Sequence, residues 1–105
     1  MIVRIWHGWT DPDDADAYEN FLTDEDEGLL ETMTGAGYLG YDLLCREGDD
    51  EVEFVTQIRF SDYDAVAEFA GENYEAAHIP PEARELLSRW EVEATHYEQR
   101  ACDRA

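Results

Sequence analysis

The chain has 105 residues, with 27 Asp or Glu against seven Arg and no Lys, for a formal net charge of −20. That length is one domain. A hydrophobic share of 44% with three Trp, six Tyr and four Phe excludes a disordered chain, and the charge excludes nucleic-acid phosphates and anionic lipid as partners.

No apolar run approaches the roughly 20 residues that cross a bilayer, and residues 1–4 do not open a signal peptide, so the expectation is a soluble cytoplasmic protein. The acidity repels itself and works against the compact state. Salt relieves it, since the Debye length falls to about 3 Å at 1 M. The acids are spread along helices and turns above an intact apolar pattern, which predicts a high-salt cytoplasm; the other reading is an acidic surface for a basic partner. Cys45 and Cys102 have neither CxxC nor Cys/His metal spacing and read as free thiols.

Residues 2–9 are a strand rich in β-branched and aromatic side chains. Alternation puts Val3, Ile5, His7 and Trp9 on one face and Ile2, Arg4 and Trp6 on the other. Thr10-Asp11-Pro12-Asp13-Asp14 starts a helix: Thr10 or Asp11 caps, Pro12 suits the first turn, and the acids favour the positive end of the dipole. Tyr18, Phe21, Leu22, Leu29, Leu30 and Met33 recur at helical spacing, with a break or kink at Gly28. Residues 38–47 and 51–60 form a hairpin around Gly48-Asp49-Asp50. The second strand alternates Val52, Phe54, Ile58 and Phe60 against Glu53, Val55, Gln57 and Arg59. Ser61-x-x-Asp64 opens a second helix with the stripe Val66, Phe69, Ala70 and Ala77; Asn73 and Tyr74 disturb its middle and Pro80-Pro81 stops it. Residues 82–88 predict one short helical turn, 91–98 the last strand, and 99–105 a frayed tail.

Strand-helix-strand-strand-helix-strand predicts an α+β, ferredoxin-like βαββαβ domain over residues 1–98. Two right-handed crossovers put the helices on one face of a four-stranded antiparallel sheet. The other face is expected to be bare and to carry Trp6, Val55 and part of Tyr38, Tyr41, Leu43 and Leu44. An apolar patch of that extent is unusual on a monomer, which predicts a homodimer through the open sheet face.

Met1-Ile2-x-Arg4-Ile5-Trp6-x-Gly8-x-Thr10, Ala15-Asp16-x-Tyr18, Phe60 before a Ser/Asp turn, Phe69-Ala70-Gly71-Glu72 and His96-Tyr97-Glu98 carry a resemblance. From Met1 to about Glu98 the chain resembles small members of the antibiotic biosynthesis monooxygenase superfamily, the dimeric α+β barrels. The resemblance implies one of several activities: cofactor-free quinone-forming oxygenase, heme-degrading monooxygenase or isomerase, or none. In the heme-degrading relatives a helix histidine is the axial iron ligand, as His78 would be here. Those relatives also use an Asn on strand one and a Trp at the end of strand three, where this chain has His7 and Phe60.

The three histidines each have two readings. If the His7 face of strand one meets the helices, His7 points into the cleft between sheet and second helix; otherwise it is hydrogen-bonded core. His78 is a site residue, or it favours the negative end of the helix it closes. His96 alternates with Val92 and Ala94 and reads as a satisfied core histidine. The cofactor-free relatives oxidise phenols or quinols that react with oxygen once deprotonated. They imply a pocket with an aromatic wall and a base. Trp6, Trp9, Tyr41, Phe60 and Trp90 would line it, with His7 or His78 as catalytic base, an imidazole having an ordinary pKa of about 6.5. A stripe of aromatics is equally ordinary core.

Asp11-x-Asp13-x-Ala15-Asp16 lacks the Gly and Glu of a calcium loop. There is no phosphate-binding glycine loop, HExxH or nucleophile elbow, and the Cys and His spacing is not that of structural zinc. The expected function is oxidation of a small aromatic or quinol-like molecule with no cofactor and no metal. The alternatives are a heme protein using His78 and a non-catalytic dimeric module that binds a small ligand.

Overall fold

The computed structural model describes residues 1–103; the last two positions of the expected tail lie outside the described residues. The chain runs β1 (Ile2–Thr10), a 3₁₀ turn (Pro12–Asp14), α1 (Ala15–Thr23), β2 (Tyr38–Glu47), β3 (Val52–Phe60), α2 (Tyr63–Ala70), α3 (Pro81–Leu86), β4 (Leu87–Trp90) and β5 (Thr95–Glu98). The sheet is antiparallel in the order β2-β3-β1-β4, and β5 also pairs with β1. This is the ferredoxin-like α+β arrangement, with the helices packed on one face. No helix among the described residues is long and apolar enough to cross a membrane.

Two helices are shorter than the apolar spacing predicts. α1 stops at Asp24, whose carboxylate accepts from the N–H groups of Asp26 and Glu27 at 3.2 and 2.9 Å. The chain then folds back, Leu29 and Leu30 donating to the carbonyls of Phe21 and Leu22. Gly28 is required there, because a Cβ would stand 2.5 Å from the Asp24 nitrogen. α2 is capped by the Asp62 carboxylate, not by Ser61, and ends at Gly71, whose φ of 86° few other residues adopt. Residues 72–80 are therefore not helical, and His78 does not sit at a helix end.

The last strand is divided. β4 pairs with Gly8, Trp9 and Thr10, and β5 with Ile2 to Ile5. Between them Glu91 still donates to the His7 carbonyl, and residues 92–94 leave the sheet to bond the irregular segment, Ala77 donating to Val92 and Ala94 to Glu75.

Register fixes the faces. Directly opposed residues of an antiparallel pair share a face, and Arg4 opposes Ile58 while Gly8 opposes Phe54. Ile2, Arg4, Trp6, Gly8 and Thr10 thus face the helices with Phe54, Ile58 and Phe60, where Tyr18, Leu22 and Val66 complete the core. Trp6, Tyr41 and Leu43, expected on the bare face, belong to this side: Tyr41 opposes Ile58 and Leu43 opposes Thr56. The bare face carries Val3, Ile5, His7 and Trp9 beside the expected Val55 and Leu44.

Candidate functional site

Between the sheet and the helices lies a cavity of about 210 Å³. Trp6 and Ile58 form its floor, Tyr18 and Phe21 of α1 one wall, and Phe69 of α2 another. Gly8 makes the floor possible: a Cβ there would meet the Trp6 indole at 2.7 Å, so the ring lies over bare backbone. The indole Nε1 donates to the Glu91 carbonyl at 2.7 Å, which anchors it.

Arg4 and His78 enter this apolar enclosure from distant points of the sequence, beside the Tyr18 phenol. His78, on the exposed segment after α2, lines it beside Ile79 and Pro80. Arg4, only 7% exposed, lines it from β1. Its Nη1 donates to the Tyr74 carbonyl and stands 3.0 Å from Nε2 of His96. Burial lowers the Arg4 pKa, yet a guanidinium stays charged in proteins. Burial, and then the Arg4 charge, lower the His96 pKa. Tyr18 is held protonated by burial, which raises its phenol pKa.

Of the residues expected at the site, His78 and Trp6 line the cavity. His7 lies on the bare face, because it opposes Val55 and not Ile58 or Phe54. Its Nδ1 is 2.9 Å from Glu53 Oε2 and its ring stacks on Trp9 at 6.1 Å. Trp9 is covered there by Arg89, whose guanidinium carbon is 3.8 Å from the ring centroid. The Tyr41 hydroxyl donates to Glu31, which with burial pushes its pKa up to about 12. Phe60 is core, one layer behind the cavity wall and 5.5 Å from the Phe69 ring. Trp90 shares with His78 an open groove outside residues 77–80. Arg4 was missed although it is the one charge on its face of a strand; Gly8 on the same face was the signal that this side is packed.

Among the described residues no three His, Cys, Asp or Glu side chains converge as metal ligands. Heme does not fit these residues. The cavity is below the range of about 300–1,000 Å³ typical of drug-sized ligands, and a heme macrocycle is larger than many of those. His78, the proposed axial ligand, stands on an irregular exposed segment and not on a helix.

No family model and no curated protein matches the chain. A solved structure from Bacillus cereus, described as a "putative antibiotic biosynthesis monooxygenase", superposes with a TM-score of 0.69 at 14% identity, over 100% of this chain and 96% of that one. The chain has the antibiotic biosynthesis monooxygenase fold. At that identity the likeness concerns the fold alone. Within this fold, the cleft between sheet and helices is where the chain brings His78, Arg4 and the aromatic wall together.

Proposed function

We propose that the protein oxidises a small phenol or quinol with dioxygen, in the cavity between sheet and helices. The observation that carries this reading is a cavity with aromatic walls and a single imidazole, His78, among its described lining residues. A base at the mouth takes the phenol proton and leaves an electron-rich phenolate. Dioxygen then places one atom on the ring and the other departs as water, so phenol plus O₂ gives quinone plus water. The walls keep bulk water from the phenolate, and His78 supplies the general base.

The protein would act as a homodimer through the open face of the sheet. Val3, Ile5, Val55, Leu44 and Tyr97 make that face apolar. It also gathers Arg46, Arg59 and Arg89 with Asp42, Glu51 and Glu53, a balanced set on a chain of net charge −20. A second copy can approach there without the repulsion it meets elsewhere.

Oxygen uptake with a panel of substituted hydroquinones tests the activity. Turnover that falls 100-fold or more in His78→Ala supports the reading, in line with the 10²–10⁴-fold contribution of a general base. An unchanged rate in that variant removes His78 as base, and no uptake with any member of the panel removes the oxygenase.

A further inference from the structure

The cavity holds a cation that the protein does not neutralise. Arg4 is 93% buried, yet among the described residues no carboxylate pairs with it. A buried unpaired charge is costly, and here it occurs in a chain with twenty more acids than bases. Neither neighbour compensates it. Tyr74 offers a carbonyl, and His96 is kept neutral by the contact, since a guanidinium can only donate and Nε2 must accept.

Both contacts use Nη1. Nε and Nη2 donate to no acceptor among the described residues, and neither is sealed away from solvent as Thr10 Oγ1 is. The side chain lines the cavity, and this edge of the guanidinium is left free to bond a ligand there. Phe69 lies against the cation, its ring centroid 5.6 Å from the guanidinium carbon, and limits how the plane can rotate. Two parallel N–H bonds on one edge match the two oxygens of a carboxylate.

We propose that Arg4 binds the carboxylate of a small aromatic acid in this cavity. The proposal rests on the reading of the cavity as the substrate site and names the class of molecule it takes. Size limits the class further. An apolar cavity of about 150 Å³ takes one benzene, so about 210 Å³ accommodates one ring with a carboxylate. Substituted benzoates fit that description, and the hydroxybenzoates among them carry the phenol that the proposed reaction needs.

Calorimetric titration with benzoate and with benzamide, its neutral counterpart, tests the assignment without any turnover. The expected result is benzoate bound at least tenfold more tightly than benzamide, with that preference lost in Arg4→Gln and kept in Arg100→Gln. Equal affinities in the wild type, no benzoate binding at millimolar concentration, or a preference intact in Arg4→Gln each overturn it. Should Arg4→Gln fail to fold, the Nε–H resonance of Arg4 in the wild type decides. It shifts on adding benzoate and stays in place with benzamide; a resonance indifferent to benzoate overturns the proposal. Benzoate binding with no oxygen uptake from hydroxybenzoates or hydroquinones would sink the oxygenase and leave the anion site standing. Quinol oxidation without benzoate binding would do the reverse.

Discussion

Nε2 of His96 stands 3.0 Å from Nη1 of Arg4, which places the imidazole proton on Nδ1. Tyr74 meets the same ring edge-on at 5.1 Å and Tyr63 lies at 6.3 Å. Burial and the Arg4 charge lower the His96 pKa from 6.5, outweighing the opposite pull of Glu75. The unfolded chain therefore takes up a proton before the folded one does. The stability associated with a neutral His96 is complete above about pH 6.5 and is lost as pH falls through the lower folded value. An NMR titration of the imidazole checks this. The midpoint is expected below 6.5, and His96→Gln should unfold with a shallower pH dependence between pH 7.5 and 5.5. A midpoint at or above 6.5 contradicts the contact.

Gly28 permits the return of the chain after α1. A methyl group there would stand 2.5 and 2.6 Å from the nitrogen and oxygen of Asp24. Backbone cannot move aside as a side chain does, so Gly28→Ala should cost about 1–3 kcal/mol. Urea unfolding measures it. A loss under about 0.5 kcal/mol, the range of ordinary surface changes, would mean that the turn relaxes freely.

The open sheet face should determine the oligomeric state. Val55 stands between His7 of β1 and Leu44 of β2. Val55→Glu puts a carboxylate into the middle of that patch, and light scattering after size exclusion should show the wild type at twice the chain mass and the variant at one. A monomeric wild type in 2–3 M salt removes the dimer.

Stability should rise with salt. Raising KCl from 0.1 to 1 M shortens the screening length from about 10 to about 3 Å, which damps the mutual repulsion of a chain carrying −20. A gain of about 5 °C in Tm corresponds to roughly 1 kcal/mol for a domain of this size. A flat or falling melting curve across that range would show that the acids do not oppose folding.

The fold was legible where a strand is half buried. β3 announces itself because Val52, Phe54, Ile58 and Phe60 are buried and their neighbours are not. β1 does not declare its inner face, because it carries bulky residues on both. Only the pairing of Arg4 with Ile58 and His7 with Val55 settles it, and that pairing is a tertiary fact. With the faces exchanged, His7 and Trp9 were drawn into the site and Arg4 was left out. The reading of His78 as a helix residue failed for a local reason. Phe69 and Ala77 keep helical spacing, but Gly71 ends α2 between them. Val92 and Ala94 keep strand spacing, yet their backbone bonds residues 75–77 and Val92 is 72% exposed. Periodicity describes which side chains are apolar and not which backbone partners are closest.

The edge strand beside β1 is made in two pieces, of three and four residue pairs. β5 is joined to β1 along four residue pairs, with one further bond from Gln99 to the Met1 carbonyl. Residues 92–94, off the sheet, separate it from β4, so it can part from β1 while the nine-pair ladder between β1 and β3 stays closed. Amide exchange at 95–98 should accordingly outpace that at 52–60. Each such opening takes His96 away from Arg4 and lets water take its place at Nη1. The bonded nitrogen of the guanidinium is thus guarded by a four-pair ladder at the sheet's edge, and the frequency with which that ladder opens sets how often Nη1 is rehydrated.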